Sequence, residues 1–386
     1  MRARSFLLLL LGSYALLQIA MAEFLRIDQS PPLSVWIFLI LAFSMPAYLN
    51  LAFARGWPRP LWLMPFFFGY FFLCALAVLA LALLWALWGV VDLFHGMSAP
   101  SNRVQLAFVL TLFGIFSVFA IVNRLRGPRV REKILPVEEL SAELEGIRIL
   151  QVSDVHVGLF ESDRSLARLR KAIESTPCDI LVFTGDMIDR KSSEIDRFLH
   201  FFGDLKGRLG VFCVLGNHEY WIDGPAIAAR LEEAGWPVLE NRSWKIPVGD
   251  HHLTLVGISD PASRGEKGGG PDPEKAFLGV SRTGGNAVIV LAHHPILWDL
   301  LDSYPATLTL SGHTHGGQIG FYHSGWTLAS PFYDYDFGMF SRDSSEGKQW
   351  LLVNSGTGYF GVPVRIGIPS SLELIVLSRD LGTEKH

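Results

Sequence analysis

A strand-like run begins at residue 147 with Ile147-Arg148-Ile149-Leu150-Gln151-Val152 and ends in Ser153-Asp154-Val155-His156. The run is short, apolar and rich in branched side chains, which predicts a buried strand. The same pattern, an apolar run followed by polar side chains, recurs at Ile180–Phe183, Gly210–Leu215, Ala287–Leu291 and Thr307–Leu310. Amphipathic segments separate the runs, such as Ser165–Ile173 with its helical spacing. The alternation predicts an α/β fold.

Each predicted strand is followed by side chains of the kind that bind metals. In α/β sheets ligands gather outside the carboxyl ends of the strands, so we expect the five clusters to converge on one place. Asp, Asn and His supply oxygen and neutral nitrogen donors without a thiolate, which suits Mn, Fe or Zn better than a Cys-rich structural zinc site. The donors outnumber the needs of one ion, which indicates two.

The ordered motifs resemble those of the calcineurin-like metallophosphoesterase superfamily. D-x-H, G-D-x-x-D, G-N-H-E, a lone histidine and G-H-x-H occur here in order, within a match from roughly Leu135 to Leu377. The resemblance implies a four-layer α/β/β/α sandwich. It also implies hydrolysis of a phosphoester with two divalent transition-metal ions, since two ions can stabilise both the attacking and the leaving oxygen.

The resemblance further implies which residues hold the ions. The first ion is implied to be held by Asp154, His156, Asp186 and His315. Asp186 is implied to bridge to a second ion, which is held also by Asn217, His293 and His313.

Catalytic and supporting roles are implied in the same way. His218 is implied to protonate the leaving oxygen or to stabilise its charge, so His218 and the bridging Asp186 are the predicted catalytic residues. Asp189 and Glu219 fit the motifs and are interpreted as partners that orient a histidine. His294 stays open as an alternative to its neighbour His293.

Two further segments narrow the resemblance. Gly312–Ile319 and Asn354–Tyr359 resemble the transmembrane metallophosphoesterase branch, which includes exported bacterial phosphodiesterases and the UDP-2,3-diacylglucosamine pyrophosphatase of lipid A synthesis. The aromatic-rich loop Phe321–Phe340 is predicted to be a lid or an interfacial contact, with Trp326 and Tyr333 as candidate substrate contacts. Ordinary loop packing is the alternative.

The N-terminal third is strongly apolar. Half of the 386 residues are hydrophobic and 18% are charged, and nearly all of the apolar excess lies before Asn123. A membrane span requires roughly 20 apolar residues. We therefore predict a four-span transmembrane bundle formed by Phe6–Ala22, Leu33–Ala54, Leu61–Val91 and Val104–Val122.

The first of these segments has a second interpretation. Arg2 and Arg4 precede it and Ala20-Met21-Ala22 ends it, which is also the outline of a cleavable signal peptide, although a retained anchor is preferred. The basic side chains of the loops place the C-terminal part on the cytoplasmic side of a membrane, expected to be a bacterial inner membrane. The predicted organisation is a membrane domain over 1–123, a basic linker over 124–134 and a catalytic domain over 135–386.

Several functions are compatible with this organisation. A formal net charge of −4 argues against broad nucleic-acid binding. The preferred function is hydrolysis of a phosphodiester or pyrophosphate in a lipid-linked molecule resembling UDP-2,3-diacylglucosamine, with the lipid bilayer as a partner. One alternative is a soluble or cyclic nucleotide substrate, with the spans as a tether. Another is a membrane receptor or transporter with a regulatory phosphoesterase domain.

Overall fold

The computed structural model describes residues 121–158, 160–264, 269–361 and 363–380, together with a few single positions between 90 and 119. The chain divides into two units, residues 1–122 and residues 123–386. The strands and helices numbered below all lie in the second unit.

The strands of the described residues are numbered in chain order: β1 (Arg129–Pro136), β2 (Arg148–Val152), β3 (Ile180–Thr184), β4 (Gly210–Val214), β5 (Arg242–Val248), β6 (His251–Ile258), β7 (Ala287–Ala292), β8 (Leu308–Ser311), β9 (Gly320–Phe321), β10 (Trp326–Thr327), β11 (Gly338–Ser344), β12 (Gly347–Val353) and β13 (Ser371–Ser378). The α-helices are α1 (Asp163–Glu174), α2 (Glu194–Phe202), α3 (Asn217–Ile222), α4 (Gly224–Glu233) and α5 (Pro273–Ala276). The five predicted strands and the predicted helix are confirmed, with ends that differ by one or two residues.

The strands form two large sheets. The first has the order β1-β13-β2-β3-β4 and the second has the order β11-β12-β8-β7-β6-β5. In the first sheet β2, β3 and β4 are parallel, and in the second sheet β6, β7, β8 and β12 are parallel. Parallel neighbours end at the same edge of a sheet, so the residues that follow these strands are brought to common edges.

The apolar core consists of three clusters of buried side chains. Successive residues of a strand belong to different clusters. Ile149 of β2 belongs to the cluster between the two sheets, whereas its neighbour Leu150 belongs to the cluster under the helices, because successive strand residues face opposite sides. Helix α1 buries Leu166 and Leu169 in that second cluster. A third cluster packs the outer face of the second sheet against short helical turns that include Trp298. The result is helix, sheet, sheet and short helices in four layers.

The predicted four-span bundle is wrong for this structure. Within the described residues, no helix is long and apolar enough to cross a membrane. The four predicted segments lie almost entirely outside the described residues. The prediction rested on hydropathy, which does not by itself establish a helix of the roughly 20 residues that a span requires. The cytoplasmic placement was deduced from those four spans, and no described residue tests it.

Part of the predicted linker belongs to a sheet. Strand β1 includes Arg129–Lys133 and pairs in parallel with β13, with Arg131 opposite Glu373. The Arg131 guanidinium lies 3.6 Å from the Glu373 carboxylate and over the ring of Tyr322. The basic side chain at this position therefore contributes to packing at the edge of the first sheet.

Candidate metal centre

The predicted ligands lie at the carboxyl ends of five strands, three parallel strands of the first sheet and two parallel strands of the second. Asp154 and His156 follow β2, Asp186 follows β3, Asn217 follows β4, His293 follows β7, and His313 and His315 follow β8. Two sheets thus contribute to one cluster. The expectation that the five polar segments converge is confirmed by the distances between their side chains.

One group consists of Asp154, His156 and His315. The Nε2 atoms of the two histidines lie 2.9 Å apart, and His315 Nε2 lies 3.3 Å from Asp154 Oδ1. These atoms converge closely enough to share one ion. All three residues are buried.

A second group consists of Asp186, His293 and His313. His293 Nε2 lies 3.2 Å from Asp186 Oδ2. Asn217 joins this group, because its side-chain oxygen lies 2.8 Å from His313 Nδ1. The four residues are the ones predicted to hold the second ion.

Asp186 lies between the two groups. Its Oδ2 atom is 3.6 Å from His156 Nε2 in the first group and 3.2 Å from His293 Nε2 in the second. Its other oxygen, Oδ1, accepts a hydrogen bond from the backbone N–H of His218 at 3.0 Å. A carboxylate in this position can contribute to both groups at once.

Two observations indicate that these residues could hold the implied metal ions. Within the described residues, His293 Nε2 is buried and makes no well-aligned hydrogen bond, although it faces the Asp186 carboxylate at 3.2 Å and buried polar atoms are normally paired. The donor set is carboxylate oxygen, amide oxygen and imidazole nitrogen, which suits Mn, Fe or Zn. Both observations favour a cation at the centre of the cluster.

Protonation favours the same conclusion. Burial lowers the pKa of His156 to about 3 and that of His313 to about 2, so both rings are neutral near pH 7, the form that binds a metal. Burial acts to raise the pKa of Asp186, but the positive charge of His293 outweighs it and holds that pKa well below its usual range. Burial acts to lower the pKa of His293, but the Asp186 carboxylate outweighs it and raises that pKa well above its usual range, so a metal ion bound at His293 would replace a proton there. Asp186 is therefore an anion that attracts positive charge to the cluster.

The backbone is strained at the predicted ligands. The described residues include eight non-glycine residues with positive φ, and five of them are predicted ligands: Asp154, His156, Asp186, His313 and His315. Such conformations are sparsely populated and concentrate at functional sites, where the surrounding structure imposes them. The loops are thus shaped to aim these side chains and are not ordinary strand-to-helix turns.

His218 lies beside the first group. Its Nδ1 donates a hydrogen bond to the backbone carbonyl of Asp189 at 2.7 Å, and its Nε2 is buried without a partner among the described residues. Because a carbonyl can only accept, the proton on Nδ1 is fixed and Nε2 is the atom left for the reaction. The Asp189 carboxylate is 3.6 Å from the same Nδ1. His156, Asp189 and His218 also form a third group of potential ligands.

Glu219 supports the loops through hydrogen bonds to backbone N–H groups. Its Oε2 accepts hydrogen bonds from the backbone N–H groups of Asp186 at 2.9 Å and Gly216 at 2.8 Å, and its Oε1 accepts one from Ile188 at 3.0 Å. It is fully buried. Glu219 therefore fixes the loop that carries Asp186 relative to helix α3.

The aromatic loop contributes one of its two candidate residues. The Tyr333 hydroxyl lies 3.4 Å from His313 Nε2, so Tyr333 borders the second group. Trp326 instead packs on Phe321 in the β9–β10 hairpin, with ring centroids 6.0 Å apart.

The geometry distinguishes the neighbouring histidines His293 and His294. The His294 ring stacks on the His313 ring with centroids 4.1 Å apart, whereas His293 contacts Asp186 directly, so the geometry favours His293 as the ligand.

Two exposed aromatic residues beside His218, Trp221 and Phe360, were not among the predicted site residues. The Trp221 ring lies 4.8 Å from the His218 ring, and the Phe360 ring lies 5.8 Å from it on another side. A signal for Trp221 was available, since it follows His218 by three residues in a helix. No comparable signal was available for Phe360, because its position depends on contacts with residues that are distant in the sequence.

Comparison with known proteins agrees with this geometry. The chain matches the family described as calcineurin-like phosphoesterase over residues 147–317. An uncharacterised metallophosphoesterase of Aquifex aeolicus is 30% identical over 252 residues, which cover 64% of this chain and 91% of that relative. The chain therefore belongs to the calcineurin-like metallophosphoesterases, a family of metal-dependent phosphoester hydrolases.

Two other relatives carry more informative names. A transmembrane protein with a metallophosphoesterase domain from Danio rerio is 31% identical over 290 residues, covering 73% of this chain. This chain spans only 64% of the length of that relative. The UDP-2,3-diacylglucosamine pyrophosphatase LpxG of Chlamydia trachomatis is 28% identical over 227 residues, covering 46% of this chain and 66% of that relative.

Proposed function

We propose that the protein hydrolyses phosphodiester or pyrophosphate bonds with two divalent transition-metal ions of the Mn, Fe or Zn type. Asp154, His156 and His315 would hold one ion and Asn217, His293 and His313 the other, with Asp186 shared. The observation that carries the proposal is the position of the Asp186 carboxylate, 3.6 Å from His156 and 3.2 Å from His293. When bound, such ions supply Lewis acidity and lower the pKa of water.

His218 would supply the proton. The Asp189 carbonyl holds its ring by Nδ1, so that Nε2 is directed away from that anchor. An unprotonated alkoxide is a poor leaving group at neutral pH. An imidazole positioned to protonate it typically raises the rate by roughly 10²- to 10⁴-fold. Tyr333, beside His313, would contact the substrate on the side of the second group.

The proposed substrate is lipid-linked and contains a pyrophosphate. The name of the Chlamydia trachomatis relative supports this choice, and the name of the Danio rerio relative supports association with a membrane. The loop near the second group also exposes large apolar side chains, with Phe321 69% and Phe332 80% exposed. Exposed aromatic side chains of this kind favour contact with lipid. A soluble nucleotide is the alternative substrate.

A matched pair of substrates tests the proposal. UDP-2,3-diacylglucosamine and UDP-N-acetylglucosamine contain the same pyrophosphate, and only the first carries long acyl chains. With the metal-loaded full chain in one detergent, we expect kcat/KM to favour the lipid form by at least about tenfold, since binding energy from a remote tail can position the phosphate. Equal values would favour the nucleotide alternative. Hydrolysis of neither substrate, nor of bis(4-nitrophenyl) phosphate, would contradict the proposed activity itself.

A further inference from the structure

Two large aromatic side chains are exposed beside the proposed metal centre. Phe360 is 52% exposed and Trp221 is 61% exposed. The Phe360 ring lies 6.1 Å from the His156 ring and 6.0 Å from the His315 ring. Both aromatic rings also contact His218. An exposed apolar side chain needs no special explanation when it is isolated, but two such rings around one proposed proton donor do.

The chain holds Phe360 in place through Gln318. The Phe360 backbone N–H donates to Gln318 Oε1 at 3.0 Å, and Gln318 Nε2 donates to the Phe360 carbonyl at 2.9 Å. Gln318 is 6% exposed and has a φ of 59°, a left-handed conformation that is rare for such a residue. It follows the predicted ligand His315 by three residues. The loop that carries the predicted ligands thus also fixes the backbone from which the exposed ring projects.

Trp221 is fixed by helix geometry. His218 and Trp221 are three residues apart in α3 (Asn217–Ile222), so their side chains lie on one face of the helix. The two rings are tilted by 40°, whereas the Phe360 ring meets the His218 ring at 84°. The two aromatic rings therefore approach the His218 ring at different angles.

We infer that Trp221 and Phe360 form a subsite that binds a planar ring carried by the leaving group of the substrate. The inference rests on the proposed function, because His218 can protonate the leaving oxygen only if the leaving group lies against it. The atoms beyond that oxygen then meet Trp221 and Phe360. Aromatic side chains of this kind bind planar rings by stacking, and one stacked ring changes affinity by about tenfold. A nucleobase or another aromatic ring fits the subsite, and a saturated ring of similar size gains less.

Two inhibitors that differ only in planarity test the subsite. Phenyl phosphate and cyclohexyl phosphate present the same phosphate with a flat or a puckered ring of similar size. Against hydrolysis of bis(4-nitrophenyl) phosphate, we expect phenyl phosphate to bind the metal-loaded protein about tenfold more tightly. Phe360→Leu and Trp221→Leu should each reduce this preference to less than about threefold, while Phe360→Tyr, which keeps a flat ring, should retain it.

A separate substitution tests whether Gln318 positions Phe360. Gln318→Ala removes both hydrogen bonds to Phe360, so the phenyl preference should fall as in Phe360→Leu while the metal content stays at the wild-type value. A wild-type preference near one, or a preference that both leucine variants leave unchanged, would overturn the inference. If no diester is hydrolysed, the proposed function fails separately, because calorimetric titration of the same two phosphates still measures the preference.

Discussion

The Oδ2 atom of Asp186 lies 3.6 Å from His156 Nε2, although the two residues follow different strands and belong to different groups of potential ligands. The same oxygen is 3.2 Å from His293. One carboxylate thus joins two clusters that would otherwise be separate sites. Changes to the residues around it should therefore affect metal binding and catalysis in distinguishable ways.

Replacing His218 should separate catalysis from metal binding. His218→Ala removes the proposed proton donor, and we expect kcat on a phosphodiester to fall by roughly 10²- to 10⁴-fold. Metal content should stay near that of the wild type, because His218 is assigned to proton transfer. Loss of metal together with activity would show instead that His218 binds an ion, as its place in the third group with His156 and Asp189 allows.

The neighbouring histidines His293 and His294 form a matched pair. His293 is fully buried against Asp186, whereas His294 is partly exposed and stacks on His313. We expect His293→Ala to lose at least one metal and more than about a hundredfold in activity, since the Lewis acidity is lost together with the ion. His294→Ala should keep its metal and lose less than about tenfold. The opposite result would reverse the assignment.

Gly312 should tolerate no side chain. A Cβ atom at this position would lie 2.0 Å from Ser153 Oγ and 2.2 Å from Asp154 Oδ2, so Gly312→Ala must displace the Asp154 carboxylate. We expect loss of metal and a lower melting temperature. Gly269→Ala is the control, because nothing lies within 4 Å of its added Cβ. Similar behaviour of the two variants in calorimetry and metal analysis would contradict the close approach at Gly312.

Glu161 predicts a pH dependence of stability. Burial raises the pKa of this carboxyl from 4.5 to about 7, so the folded protein binds the proton more tightly than the unfolded chain does. Stability is therefore lost as the pH rises from 4.5 to about 7. Glu161→Gln has no proton to lose, and above about pH 7.5 it should exceed the wild type by at most about 3 kcal/mol in free energy of unfolding.

The measurement is denaturant unfolding of both proteins at about pH 5 and about pH 8, on either side of that range. The amide of the Glu161→Gln variant would still accept the hydrogen bond that the Ser165 hydroxyl donates to Glu161 in the wild type. The two proteins should therefore differ little at the lower pH. A stability difference that is the same at both pH values would show that Glu161 does not titrate in this range.

The sequence could predict that the proposed ligands lie close together, because their placement depends on local pattern. Asp154 and His156 directly follow β2, and parallel strands that end at one edge bring such residues together whatever the details of packing. The contact between Gln318 and Phe360 could not be predicted in the same way. Their two hydrogen bonds join residues 42 positions apart, and neither spacing nor hydropathy records such a contact.

Hydropathy could not by itself establish the four-span bundle that was predicted for the N-terminal third. Apolar runs such as Leu33–Ala54 indicate that a segment avoids water, but they do not establish a spanning helix, and the described residues contain none. In the aromatic loop, composition alone could not distinguish Tyr333 from Trp326. The β9–β10 hairpin pairs Trp326 with Phe321, and no spacing or composition signal indicates that pairing.

The measurement that tests the account most directly is the number of metal ions bound to each chain. Elemental analysis should be made on the purified full chain after saturation with Mn, Fe or Zn and removal of the excess. Because Asp186 lies between two groups of ligands, we predict two ions per chain. A folded protein that retains one ion per chain under these conditions would contradict a centre shared through Asp186.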